Sequence, residues 1–154
     1  MHDPDPRTLQ RARSGDLRAF EELVRGYQAE VFRFALHLTR DHPLAEDVTQ
    51  ETFLRAFRFI RGYRGAQRFG SWLFAIARNC SMDALRKRGR IAAMPDRELR
   101  TTPDASVRAE LDAALAAVSG DHREAFLLVE VFGLSYQEAA DVLGVAVGTV
   151  KSRM

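Results

Sequence analysis

Side chains able to do covalent chemistry are thinly spread along this chain. His2, His37, His42 and His122 stand far apart, none is spaced to pair with Cys80, and no set of residues has the spacing of metal ligands. Nucleophilic, acid–base and metal-assisted catalysis therefore find no constellation, and the expectation is a non-enzyme without cofactors. Cys80 falls on the apolar side of a helix and reads as a buried thiol. As the one cysteine it excludes an internal disulfide and fits a reducing compartment. Gly62, Gly65 and Gly70 match neither G-x-x-x-x-G-K-[ST] nor a strand-preceded G-x-G-x-x-G, which argues against an NTPase. The chemistry that is concentrated here is non-covalent. Residues 55–90 carry 10 Lys and Arg against a single acid, Asp83, together with Phe57, Phe59, Tyr63, Phe69, Trp72 and Phe74. Cations meet phosphates and release counterions, while rings stack on unpaired bases. A solvated Arg-rich face beside a core is the alternative that composition leaves open.

Charge divides the chain. Residues 1–90 hold 17 basic and 11 acidic side chains, a net +6, whereas residues 91–154 hold 6 and 10, a net −4. With 46% hydrophobic and 29% charged residues, the composition is that of a folded protein and not of a disordered one. No apolar run approaches the ~18 residues that cross a bilayer, and the start, Met1-His-Asp-Pro-Asp-Pro, lacks the basic-then-apolar pattern of a signal peptide. A cytoplasmic protein without membrane insertion is expected.

The elements that must position these residues are helices. Leu17, Phe20, Leu23, Val24, Tyr27, Val31, Phe34 and Leu38 step by three and four, predicting an amphipathic helix over 17–39 with Asp16 as N-cap. After Asp41-His42-Pro43, a second helix is expected to bury Leu44, Val48, Phe53 and Phe57, with Pro43 in its first turn. Residues 63–70 read as a glycine-rich loop. A third helix, to about Arg88, is built around Trp72, Leu73, Ile76, Ala77, Cys80, Ala84 and Leu85. From Ile91 to about Ser106 the pattern fails, predicting a flexible linker. Leu111, Leu115 and Val118 then resume helical spacing, and a helix capped by Asp121 should bury Phe126, Leu127, Val129 and Val131 before Gly133. The expected fold is all-α, with two small helical domains, residues 1–90 and 107–154, on a tether over 91–106.

The last twenty residues carry the most specific local signal. Ser135-Tyr-Gln-Glu138 is a capping box. The short helix it opens, through Ala139, Ala140, Val142 and Leu143, ends at Gly144, where a left-handed turn needs no Cβ. A new helix then begins at Val147, with Val150 packing inward. A small residue, a turn glycine and an inward valine at these offsets predict a helix-turn-helix, which leaves Thr149, Lys151, Ser152 and Arg153 facing a major groove.

These ordered motifs resemble the bacterial sigma-70 family, specifically the small extracytoplasmic-function (ECF) sigma factors. Gly133-Leu-Ser-Tyr-Gln-Glu-Ala-Ala, Leu143-Gly-Val and Gly148-Thr-Val-Lys-Ser-Arg are similar to region 4, which implies that Thr149, Lys151, Ser152 and Arg153 read a promoter −35 element. Ala45-Glu-Asp-Val-Thr-Gln-Glu-Thr-Phe-Leu-Arg-Ala-Phe57 resembles region 2.2, implying that Asp47, Gln50, Glu51, Phe53 and Leu54 dock on the β′ clamp of core RNA polymerase. Ser71-Trp-Leu-Phe-Ala-Ile-Ala-Arg-Asn79 and Asp83-Ala-Leu-Arg86-Lys-Arg are similar to regions 2.3 and 2.4, which open and read the −10 element. The implied −10 residues are Tyr63, Arg64, Arg68, Trp72, Ile76, Asn79, Asp83, Arg86, Lys87 and Arg88, with the 63–68 loop receiving an extruded base and Asn79 reading a neighbouring edge. The resemblance further implies that the linker threads the polymerase beside its β subunit, toward the RNA exit path, and that an anti-sigma protein holds the chain.

Residue spacing bears on these roles separately. Asp47, Gln50, Glu51 and Leu54 share one helix face, acidic within a basic domain and suited to a basic partner. Trp72, Ile76, Asn79, Asp83, Arg86 and Arg90 form one stripe running from aromatic through amide to cation, which suits single-stranded DNA. Trp72 serves a core equally well, and Tyr63 could simply close the loop. The rival function is a stand-alone helix-turn-helix regulator with an N-terminal sensor domain. Against it, the cations lie in 55–90 and not beside the helix-turn-helix, where a duplex binder working alone needs them. The recognition helix is expected to be truncated, since the sequence stops at Met154. Weak −35 binding follows, to be strengthened and made more salt-dependent by a longer basic tail; equal affinity with and without such a tail would refute this.

Overall fold

The computed structural model describes residues 2–92 and 120–154, the side chains of 90–92 excepted. Among the described residues the secondary structure is entirely helical. The order is α1 (Pro6–Arg13), α2 (Leu17–Thr39), α3 (His42–Phe59), a 3₁₀ turn (Ile60–Gly62), α4 (Phe69–Ala92), α5 (Gly120–Phe126), a π-helical turn (Leu127–Val131), α6 (Tyr136–Leu143) and α7 (Val147–Arg153). The expected linker beyond Ala92 and the helical spacing of Leu111, Leu115 and Val118 lie outside the described residues.

Helix starts follow local chemistry. Asp16 accepts hydrogen bonds from the Arg18 and Ala19 amides at 3.0 and 3.3 Å, and Asp41 accepts from the Leu44 amide at 3.1 Å. Each satisfies amides that the first turn leaves without a partner. α1 has no apolar periodicity to announce it. Asp5 caps it by accepting from the Arg7 amide at 2.8 Å, and Pro6 stands at its start; only Leu9 and Ala12 tie it to the core. Leu17, placed by spacing on the buried side of α2, is 57% exposed, because the core begins a turn later at Ala19 and Phe20.

The face that α3 buries is only partly the expected one: Val48 is inside as expected, but the rest of the face differs. Ala45, Val48, Thr49, Thr52 and Ala56 are buried, while Leu44 and Phe53 are partly buried and Phe57 is 49% exposed. Small side chains let α2, α3 and α4 approach closely, as the cluster Ala35, Ala45, Val48 and Cys80 shows. The two threonines belong there because their hydroxyls donate back to their own helix, Thr49 Oγ1 to the Ala45 carbonyl and Thr52 Oγ1 to the Val48 carbonyl, both at 2.7 Å. Hydrophobicity alone points to the larger residues; fit selected the smaller ones. Burial holds the Cys80 thiol above its ordinary pKa, as a structural cysteine requires.

In the second domain α5 does not continue as an α-helix to Gly133. It widens into the π turn, and the Phe132 amide bonds the Leu127 carbonyl at 2.9 Å, five residues back. The extra residue rotates the apolar face. Leu127, Leu128 and Phe132 are buried and Val129 is partly so, whereas Phe126 and Val131, both expected inside, are 40% and 46% exposed.

The helix-turn-helix forms as its sequence predicts. The Glu138 amide donates to Ser135 Oγ at 3.1 Å and the Ser135 amide to Glu138 Oε2 at 2.7 Å. Gly144 turns with φ of 67°, Ala140 lies between the helices, and Val150 is fully buried. Replacing Ser135 by Ala should cost about 1 kcal/mol, read as a lower midpoint in chemical denaturation; an unchanged midpoint would show that the cap holds nothing.

The two domains share one core. Phe132 packs edge-on against Phe34, with ring centroids 5.6 Å apart, and lies 5.2 Å from Phe74, and α6 lies against α4. The expected two-domain architecture therefore has its parts in contact.

Candidate nucleic-acid interface

α3 and α4 together carry most of the residues expected from the sequence to meet polymerase and −10 DNA. On α3, Asp47, Gln50 and Leu54 are exposed, Leu54 by 61%. Phe57 extends the row by one more turn, at i+3 from Leu54. Sequence reasoning assigned Phe57 to the core, but the Gln50, Leu54, Phe57 spacing is the signal that places it on this face. Phe53 turns away from the row and packs against the core, being one residue and therefore about 100° from Leu54. Glu51 is half-buried, and its Oε1 accepts from Arg55 Nε at 3.0 Å.

Arg55, which sequence reasoning did not single out, joins this face to α4. Its guanidinium nitrogens Nη1 and Nη2 both reach Asp83 Oδ2 at 3.3 Å, and Arg86 pairs with the other oxygen of Asp83. The i, i+4 order of Glu51 and Arg55 is the one sequence signal for half of this network. Arg55, Asp83, Arg86 and Lys87 line a cleft of about 530 Å³, with the ends of Arg86 and Lys87 toward solvent. The Arg86 and Arg55 guanidiniums hold the Asp83 carboxyl below its ordinary pKa. What Asp83 adds to stability is therefore fully present above the ordinary carboxylate range and is lost as pH falls through its lowered pKa. Wild type and Asp83→Asn should thus differ in melting temperature at neutral pH and converge in strong acid; a constant gap would show that the charge is irrelevant.

Along α4 the stripe expected to face DNA divides. Asn79 and Arg86 are exposed, while Trp72 and Ile76 are half-buried against the core; the side chain of Arg90 lies outside the described residues. Trp72 stands in a ring cluster, 5.3 Å from Tyr63 and 5.6 Å from Phe69. Tyr63 is 6% exposed, and its hydroxyl donates to the Gln67 carbonyl. It therefore closes the 63–68 loop from inside and does not offer a stacking ring at the surface, because the three-ring cluster is a better home for it than water. Burial also raises its pKa. Arg64 is exposed on this loop, and Arg68 is held by Asp3 at 2.7 Å and Glu138 at 3.1 Å. Arg88, expected to follow the DNA backbone, is drawn inward instead. It donates to the Thr39 carbonyl at 3.3 Å and pairs with Asp41 at 3.4 Å, so it clamps the α2–α3 corner.

In the helix-turn-helix, Lys151 and Ser152 are exposed and Thr149 and Arg153 half-buried. Ser152 Oγ donates to the Gly148 carbonyl at 2.9 Å, and Arg153 lies 3.9 Å from Asp121. Lys151 thus stands on the outer side, Ser152 is exposed but bonded to its own helix, and Thr149 and Arg153 are partly buried in their own domain.

Similarity to known proteins shows the family of the chain. The family "Sigma-70 region 2" matches residues 23–91, and "Sigma-70, region 4" matches residues 108–154. The chain belongs to the sigma-70 family. Among relatives, the ECF RNA polymerase sigma factor SigE of Mycolicibacterium smegmatis is 39% identical over 148 residues, spanning 88% of this chain and 57% of that protein. RNA polymerase sigma factor CarQ of Myxococcus xanthus is 36% identical over 153 residues, spanning 94% and 88%. In three dimensions the chain is similar to the sigma factor RpoE of Bartonella quintana, solved in complex with the anti-sigma factor NepR. The TM-score is 0.77 at 29% identity, over 90% of this chain and 91% of that one. These relatives place the chain among the ECF sigma factors and favour a sigma factor over a stand-alone regulator. Among the described residues no helix is long and apolar enough to cross a membrane.

Proposed function

We propose that this sigma factor is a dissociable specificity subunit that carries no chemistry of its own and brings core RNA polymerase to a promoter in the bacterial cytoplasm. The observation that carries the reading is the pairing of two faces on α3 and α4. The exposed row Asp47, Gln50, Leu54 and Phe57 meets the β′ clamp, and the Arg55–Asp83–Arg86–Lys87 cleft next to it takes the DNA backbone. Asn79 and Arg64 contact the opened −10 strand, with Trp72 and Ile76 forming the apolar floor beneath an extruded base. Tyr63 supports that floor from within, and Arg68 joins the DNA contacts once released from its acidic partners. Lys151, Ser152, Thr149 and Arg153 approach the −35 element. The segment between the domains follows the polymerase beside its β subunit.

An anti-sigma protein is the expected regulator, as one is for the RpoE relative. Titration with core polymerase, followed by run-off transcription on a promoter library, tests the reading. Charge reversal at Asp47 and Glu51 should weaken the complex by about tenfold or more. Failure to form a stable complex with core polymerase, or equal binding by the reversed variant, would overturn it.

A further inference from the structure

The segment 2–5, ahead of α1, reaches across to α2 and to the 63–68 loop. Pro4 and Pro6 stiffen it, since each fixes its own φ and keeps the residue before it, Asp3 or Asp5, extended. Two contacts seat it. The His2 ring stacks on that of Tyr27, with centroids 5.3 Å apart and planes 16° from parallel, and the Tyr27 hydroxyl donates to the His2 carbonyl at 2.7 Å. Arg68 Nε donates to Asp3 Oδ1 at 2.7 Å, across 65 residues of sequence. Tyr27 is 1% exposed; burial, together with the charges of Asp3 and Glu30, raises its pKa, so its hydroxyl remains a donor. From Tyr27 the rings continue inward. Phe69 stands edge-on to it at 5.3 Å, and Trp72 lies 5.6 Å from Phe69. His2 is thus one end of a row of rings whose other end is the floor assigned above to an extruded base.

We propose that residues 2–5 form an N-terminal arm of the −10 site, in which His2 braces the ring row beneath the extruded base and Asp3 is the counter-ion that a DNA phosphate displaces from Arg68. This rests on the promoter-binding function proposed above. The two residues act differently. A pocket floored by rings rejects a wrong base only as well as those rings keep their places. Without His2, Tyr27 loses the ring stacked on it, and Phe69 and Trp72 gain room to shift and admit other bases. Asp3 is a competitor. Its pair with Arg68 is open to water, with side chains 63% and 37% exposed. Such a pair is weak, so phosphate readily replaces the carboxylate. Because phosphates are the same in every sequence, this competition lowers affinity without altering preference.

His2 and Asp3 are both exposed, so replacing them leaves the core intact. Run-off transcription by holoenzyme on a promoter library randomised at the −10 element tests the brace. His2→Ala should lower the preference for the favoured sequence over its single-base neighbours by about threefold or more. His2→Phe, which keeps a stacking ring, should restore it. A residue that only stabilised the fold would lower all transcripts together and leave that preference unchanged. Titration of holoenzyme with the favoured promoter and its neighbours tests the counter-ion. Asp3→Asn should tighten binding to all of them by about two- to fivefold, at unchanged preference. Wild-type preference in His2→Ala, its loss in His2→Phe, or Asp3→Asn with altered preference or no gain in affinity overturns the arm and leaves the promoter-binding function standing. No transcription by wild-type holoenzyme overturns that function, and the arm with it.

Discussion

Leu54→Arg is expected to weaken binding to core RNA polymerase by about 30- to 1000-fold, the loss that follows when an interface anchor worth roughly 2–4 kcal/mol is removed. Leu54 is 61% exposed and lies between Gln50 and Phe57 on the outer face of α3, so it contributes almost nothing to the core. A substitution at such a site should change stability by no more than ~0.5 kcal/mol. The large binding effect has two parts. An apolar contact is lost at the centre of the row, and a cation is placed where the neighbouring Asp47 and Glu51 favour a basic partner. Anisotropy titration of labelled protein with core polymerase measures the loss of binding, and urea denaturation measures the change in stability. Gln28→Arg, on the exposed side of α2, is the control for an added charge elsewhere. If Leu54→Arg and Gln28→Arg bind equally, the docking face is not on α3.

Phe74→Ala should destabilise the chain by about 3–5 kcal/mol, the usual cost of deleting a buried aromatic ring and leaving a cavity. Its ring is fully buried, 5.0 Å from that of Phe34 and 5.2 Å from that of Phe132. Few other positions touch both domains from the middle of the core. Against a total stability of roughly 5–15 kcal/mol, the loss is about a fifth or more. It should appear as a lower urea midpoint with loosened packing of the second domain, visible in hydrogen exchange at Leu127, Leu128 and Phe132. A change below about 1 kcal/mol would mean that the three rings do not form a shared core.

Much of the first domain was legible because its signals are local. The 3.6-residue repeat of α2, the Asp16 cap and the Pro43 start need no partner to act. The same holds for the capping box at Ser135 and the turn at Gly144, where φ of 67° favours a residue without Cβ. What failed was the choice of buried face on α3 and after α5. On α3 the sequence offers phenylalanines at 53 and 57, and hydrophobicity favours burying them. The neighbouring helices come too close for rings, and Thr49 and Thr52 can satisfy their own hydroxyls, so small residues fill that space. After α5 one extra residue per turn in the π segment moves Phe132 inward and Phe126 outward, a shift that no α-helical spacing can express.

The candidate site divides in the same way. The exposed row Asp47, Gln50 and Leu54 was readable because residues on one helix face repeat at fixed offsets. So was the cationic character of residues 55–90, a property of composition. Which of those cations are available was not readable. Arg88 is spent on Thr39 and Asp41, Arg68 on Asp3 and Glu138, and Arg55 on Glu51 and Asp83. Each of these partners except Glu51 lies 28 or more residues away, as the Arg55–Asp83 separation of 28 sets the lower end. By itself the sequence determined the long helices α2, α3 and α4, the Asp16 and Ser135 caps, the helix-turn-helix and the chemistry concentrated between residues 55 and 90. Only the tertiary structure decided which side chains within that segment face solvent, because burial and ion pairing depend on residues brought together from distant parts of the chain.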